Sequence, residues 1–139
     1  MYKIIMSSSE FKSDQEQIKD VIRDMCNKDH TLGMKHMDKD CVFIRPSGNP
    51  LTMEGWNQMM NNPNVSVELN ELVSINKMQV CGNMAYVCYT DHGKFNYMGT
   101  ENDDIAVLTS VLQKVDGRWM VVHGQRSTGR SPSEEPPKF

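Results

Sequence analysis

The sequence predicts an α+β domain in which a strongly bent antiparallel or mixed sheet wraps around an N-terminal helix and encloses a cone. Three observations predict it. The elements run helix, helix, strand, helix, and then several long strand-like stretches. The last of these, DDIAVLTSVLQKVDGRWMVVHGQRS from Asp103 to Ser127, places two apolar runs rich in β-branched and aromatic residues around Asp116-Gly117. That hairpin is apolar on both faces, so both need cover, a helix on one and a partner subunit on the other.

Asp-Gly tolerates the positive φ angles of a two-residue primed turn, which sets Val115 opposite Arg118. Counting outward pairs Lys114 with Trp119, Leu112 with Val121 and Ser110 with His123. Alternation then gathers Leu108, Ser110, Leu112, Trp119, Val121, His123, Gln125 and Ser127 on one face. Val107, Thr109, Val111, Met120, Val122 and Arg126 fall on the other.

Upstream, Tyr2 to Met6 is a short apolar patch that would add a strand or lie on the surface, and Ser7, Ser8 and Ser9 offer caps to the first helix. Its apolar residues, Phe11, Ile18, Val21, Ile22, Met25 and Cys26, recur at helical spacing, with Lys12, Glu16, Lys19, Arg23 and Asp24 on the solvated side. Asp29 caps a second helix from His30 to about Met37, ended by Asp38-Lys39-Asp40. Cys41 to Arg45 is a brief strand, and Pro46-Ser47-Gly48-Asn49-Pro50 a turn. Thr52 caps a third helix, Met53 to Met60. From Val65, alternation puts Val67, Leu69, Glu71 and Val73 on one face until the phase slips near Leu72, which predicts a bulge. Gly82-Asn83 turns the chain into a strand from Met84 to Asp91, and His92 to Asp104 is a polar link in which Phe95 and Tyr97 suit an extension of the neighbouring strands. TGRSPSEEPPKF has little to bury, so the domain is expected to cover 1–127 and a disordered tail 128–139.

Length and composition exclude several classes. A chain of 139 residues makes one domain with a real core, burying roughly 68–70% of its unfolded surface. Fifteen Lys plus Arg against 18 Asp plus Glu leave a net charge of −3 and no basic field for nucleic acid. No run approaches the roughly 18 apolar residues of a membrane span, and MYKIIMSSSE lacks the flank and core of a secretory signal, so a cytoplasmic chain or a mature form without its leader is expected. Cys26, Cys41, Cys81 and Cys88 show no metal-ligand spacing and read as buried free thiols, and no spacing of His30, His36 or His92 suggests a metal site. Neither a metal nor a cofactor is expected. The 12 methionines suit an adaptable core or pocket lining. No catalytic carboxylate pair, nucleophile elbow or phosphate loop appears, which disfavours a hydrolase or nucleotide enzyme.

The hairpin, with its apolar strand, Asp116-Gly117 turn and Trp119-x-x-Val122, resembles SnoaL-like proteins of the nuclear transport factor 2-like (NTF2-like) superfamily. It is also similar to the association domain of calcium/calmodulin-dependent protein kinase II at Asp116-Gly117, Trp119, Val122-His123 and Arg126-Ser127, with further matches at Pro46, Glu54-Gly55, Gly82, Ala85 and Tyr89. The resemblance spans roughly residues 10 to 129 and implies a cystatin-like cone. It does not choose among isomerases, cyclases, dehydratases, binding modules and oligomerisation domains. The arginines that line the pocket of the association domain correspond here to Asp91 and Ser110, so carboxylate binding in that manner is not carried over. Iota-type carbonic anhydrases also resemble the last strand, but their His-x-Ser would fall on Gln125 and Ser127, without the histidine.

If the face bearing His123 lines the cone, the candidate catalytic residues are His123, Asp91 and Tyr89. Imidazole beside carboxylate is a general acid or base, and Tyr89 or Gln125 donates to a developing oxyanion. Ser110, Trp119, Gln125 and Ser127 are candidate ligand-binding residues. Arg126, on the far face, reads as a surface or interface ion pair, and Arg45 as a residue at the pocket mouth or in solvent. The expected function is a SnoaL-like small-molecule binder or enzyme with isomerase or lyase acid-base chemistry. The alternatives are a noncatalytic association domain and a divergent relative of the carbonic anhydrases. The expected partners are a small molecule in the cone and further copies of the chain, as a homodimer or larger ring.

Overall fold

The computed structural model describes residues 12–139; the strand expected at Tyr2 to Met6 and the caps expected at Ser7 to Ser9 lie outside the described residues. Helix α1 spans Asp14–Met25 and is capped by Ser13, whose hydroxyl accepts from Glu16 N. Its buried stripe, Ile18, Val21 and Ile22, lies in the concavity of the sheet, each side chain worth about 1.5–3 kcal/mol of burial. Asp14 Oδ1 accepts from Lys114 Nζ and Trp119 Nε1, both at 3.0 Å, tying the first turn of α1 to the last hairpin.

Helix α2 is shorter than expected, His30–Met34, with Asp29 accepting from Thr31 N as its cap. The expected terminator Asp38-Lys39-Asp40 instead belongs to strand β1, Met37–Ile44, whose register against β6 is irregular between Met37 and Val42 and so absorbs the charged triplet. Strand β2 is Pro50–Thr52, and helix α3 is Met53–Met60, where Thr52 Oγ1 accepts from Gly55 N.

Four long strands complete the sheet: β3 Val65–Cys81, β4 Met84–Tyr97, β5 Thr100–Val115 and β6 Arg118–Arg126. The spatial order is β2-β1-β6-β5-β4-β3; β1 and β6 run parallel and the other neighbours antiparallel, so the sheet is mixed and open. Three register shifts against β4 bend β3, one of them at Leu72, where the alternation slips. The stretch read as a link is strand on both sides of a Met98-Gly99 turn, because Met98 takes the positive φ of 53° that a two-residue reversal needs. At the other hairpin Asp116 and Gly117 have φ of 50° and 77°, as the dipeptide predicts.

Core side chains from both layers meet under α1: Ile18, Ile22, Val87, Tyr89, Leu112 and Val121 are enclosed, with Trp119 beside them. All four cysteines are free; Cys26 and Cys41 are buried, whereas Cys81, at the end of β3, is exposed rather than enclosed. Beyond Ser127, where a tail is expected, Arg130 and Ile105 exchange two backbone hydrogen bonds of 2.8 and 2.9 Å. No helix among the described residues is long and apolar enough to cross a membrane.

Candidate functional site

One bulge decides which side chains enter the cone. From the Asp-Gly turn the pairs Val115–Arg118, Lys114–Trp119 and Leu112–Val121 form as counted, but the next are Val111–His123 and Ser110–Gly124, so β6 spends an extra residue at Val122. Parity inverts beyond that point. Trp119 and Val121 face inward, then Gly124 and Arg126, while His123 and Gln125 join Thr109 and Val111 on the convex face. The slip brings β6 against β1: a Cβ on Gly124 would stand 2.7 Å from Phe43 Cδ2.

The expected site residues therefore separate. Asp91 and Tyr89 line a cavity of about 510 Å³ on the concave side of the sheet; Ser110 does not line it but meets Tyr89 through a buried hydroxyl pair at 2.9 Å. Trp119 is buried but away from the cavity, its N–H spent on Asp14. His123 and Gln125 lie on the outer face, and Ser127 is exposed, its Oγ accepting from Val107 N at 3.0 Å. The His123, Asp91 and Tyr89 constellation is not assembled, and the Gln125-x-Ser127 pair faces away from the hollow. Arg126, expected on the opposite face, lines the cavity instead. Gly124 is the signal that marks the inversion, since a glycine inside a strand indicates a bulge or a close backbone approach.

The cavity walls are apolar and soft. Met25, Met34, Met37, Met59 and Met60 contribute thioethers, and Phe43, Trp56 and Phe95 aromatic faces, with Phe43 edge-on to Trp56 at 5.0 Å between centroids. Among the polar groups set into these walls are six from five elements and loops: Arg45 after β1, Asn70 on β3, Asp91 on β4, Asn102 and Asp104 on β5, and Arg126 on β6. Arg126 is 4.0 Å from Asp104 and lies over the Phe95 ring at 5.8 Å. Asn70 Nδ2 donates to the carbonyls of Met25 and Asn27, which fixes its amide and leaves Oδ1 free.

Three buried side-chain polar atoms have no hydrogen-bond partner among the described residues: Arg45 Nε, Asn70 Oδ1 and Asp91 Oδ1. All three belong to residues lining this cavity. Enclosure pushes the Asp91 carboxyl up to about 6; Arg126 and His92 oppose that shift and Asp104 adds to it. Burial also pushes the Cys26 thiol on the cavity wall up to about 12, so it is a neutral wall group and not a nucleophile. The Tyr89 hydroxyl is likewise held neutral by burial. Among the described residues no three His, Cys, Asp or Glu side chains converge as a metal site. The arrangement offers one carboxyl able to exchange a proton near neutrality, in a largely apolar hollow that also holds the neutral Tyr89 hydroxyl and the Arg126 guanidinium.

Comparison with known proteins places this geometry. The family model described as "Protein of unknown function (DUF3804)" matches residues 13–134. An NTF2-like protein of unknown function from Prochlorococcus sp. NATL2A is 33% identical over 86% of this chain and 96% of its own, with a TM-score of 0.79. The fold is shared with the hub homology domain of CaMKII from Chlamydomonas reinhardtii, at 20% identity over 85% of this chain and all of that one (100%), TM-score 0.61. It is shared too with a ketosteroid isomerase-like protein from Erwinia carotovora atroseptica, at 16% identity over 76% and 84% of the two chains, TM-score 0.58. No curated protein matches the sequence.

Proposed function

From the premise that the chain belongs to the DUF3804 family and to the NTF2-like proteins, we propose that it binds a small, largely apolar molecule in the cone and that Asp91 is the proton-transferring group of the site. The supporting observation is the coincidence of all three orphaned buried polar atoms with one cavity. Buried polar atoms are normally satisfied, and an unpaired one costs about 1–3 kcal/mol, so three around one hollow are what a site pre-organised for a polar ligand group presents. A volume of about 510 Å³ suits a ligand of drug-like size.

The chemistry that fits is cofactor-free proton transfer of the isomerase or lyase type. Asp91 takes a proton from a carbon next to a carbonyl and returns it elsewhere, while the Tyr89 hydroxyl, held by Ser110 behind it, and Arg126 supply donors for the oxygen on which charge develops. The base role expected for His123 passes to Asp91 because His123 is on the other side of the sheet. The test is a panel of β,γ-unsaturated ketones, read by the absorbance of the conjugated product and by the rise in melting temperature on binding. Wild type is expected to convert at least one member, and Asp91→Asn to bind it without turnover. A protein whose melting temperature no apolar ketone or acid moves would overturn the reading.

A second reading, a self-associating module, is favoured by the convex face of the sheet, where Met84, Tyr86 and Val107 are 42, 38 and 45% exposed. Association there and binding in the cone use opposite faces and are compatible.

A further inference from the structure

Arg45 follows the last residue of β1 at the rim of the cavity, between buried Phe43 and the exposed turn at Pro46 and Ser47. The turn fixes its backbone, since Arg45 N donates to Asn49 O and Arg45 O accepts from Gly48 N. Its guanidinium lies over the Tyr97 ring at 5.9 Å, and Nη1 donates to Met59 Sδ at 3.3 Å. Neither contact supplies a negative charge. Nε is enclosed without an acceptor, and among the described residues no carboxylate lies within 4.0 Å of the group. A guanidinium does not shed its proton, so this half-buried group keeps a charge that no carboxylate among the described residues matches and that an anion entering the cavity can match. Arg126, by contrast, already has Asp104 beside it.

We propose that Arg45 anchors an organic monoanion, a carboxylate on an apolar body, with its head at the rim and its body among Trp56, Met34, Met59 and Met60. One unpaired guanidinium neutralises one charge; Arg126 is already matched by Asp104, which leaves Asp91 elsewhere on the wall to disfavour a second. The thioether walls adapt to the shape of the body and do not specify it, which leaves the head group as the specific contact. This inference deepens the ligand-site reading and depends on it.

The test uses the full chain and three probes with one body: 4-phenylbutyrate, 4-phenylbutanol and 4-phenylbutyl phosphate, titrated by calorimetry and by the emission of Trp56 on the cavity wall. Wild type is expected to bind the acid about tenfold or more tighter than the alcohol, and the phosphate no tighter than the acid. Arg45→Gln and Arg45→Met are expected to erase the preference with alcohol binding kept, and Arg45→Lys to retain part of it. Equal binding of acid and alcohol by wild type, or an acid preference that survives in Arg45→Gln, would remove the anchor and leave the cavity reading standing. Tighter binding of the phosphate would overturn the monoanion class. Binding of none of the three would remove both the anchor and the ligand site.

Discussion

Asp91 sits where a carboxylate is costly, and its titration is coupled to folding. The folded chain holds that proton to about pH 6, against 3.8 for the exposed group. The native state therefore binds it more tightly than the unfolded chain, so the stability it contributes is complete below about pH 4 and lost as pH rises through about 6. A shift of about two units is worth at most about 3 kcal/mol. Asp91→Asn cannot ionise, so urea denaturation is expected to find it more stable than wild type by about 1–3 kcal/mol at pH 8 and nearly equal at pH 4. A wild-type profile that is flat between those limits would show that solvent reaches the carboxylate. Asp14 makes the converse case at the other end of the cone. It is partly exposed, but its Oδ1 is the acceptor for the indole N–H of Trp119, a residue 3% exposed. Asp14→Ala strands that donor and is expected to cost about 1–3 kcal/mol, whereas Asp14→Asn, which keeps an acceptor, should recover much of it; equal losses would mean that the charge on Lys114 matters more than the indole.

Elements defined by local chemistry were legible in the sequence, and elements defined by contact between distant strands were not. Asp29 and Thr52 cap the helices they announce, Asp116-Gly117 makes the turn its φ preferences require, and alternation along β4 and β5 places Tyr89, Asp91 and Ser110 inward together. That parity count then fails at Val122, because β6 shifts its register where it also pairs with β1, and counting from the turn carries no information about β1. Every residue assigned beyond the bulge changes side: His123 and Gln125 leave the cone and Arg126 enters it. The Met98-Gly99 reversal escaped for a different reason, since methionine rarely takes a positive φ and here it is held by the pairing of β4 with β5 and by the Met98 N–H donated to Asn64 O. The bulge itself is testable through the glycine that accompanies it. With 2.7 Å between a Cβ at Gly124 and the Phe43 ring, Gly124→Ala is expected to lose about 1–3 kcal/mol, and Gly124→Ala with Phe43→Leu to regain part of that. Strict additivity of the two substitutions would mean that the β1–β6 approach is looser than this.

At the scale of the molecule, the open sheet divides two proposed roles between its faces. The concave face is shared by α1 and the cavity, which meet at Met25 and Cys26. The convex face has no covering element among the described residues, and it carries Tyr86 on β4 facing Val111 on β5, with Val107 further along. Tyr86 directs its hydroxyl toward Gln79 at 3.5 Å, which leaves the ring face outward. An exposed apolar sheet centre is the kind of surface that a second copy covers isologously. If this face carries the association, light scattering at micromolar concentration is expected to show a dimer or larger ring for wild type, and the pair Tyr86→Lys with Val107→Glu a monomer of unchanged secondary structure. Side chains alternate, so neither substituted residue lines the cavity, and the double variant is expected to keep the ligand-induced rise in melting temperature. A monomeric wild type would dismiss the convex face as an interface. Loss of ligand response on dissociation would show instead that the partner copy holds the cone in shape, and that the two faces of the sheet act as one device.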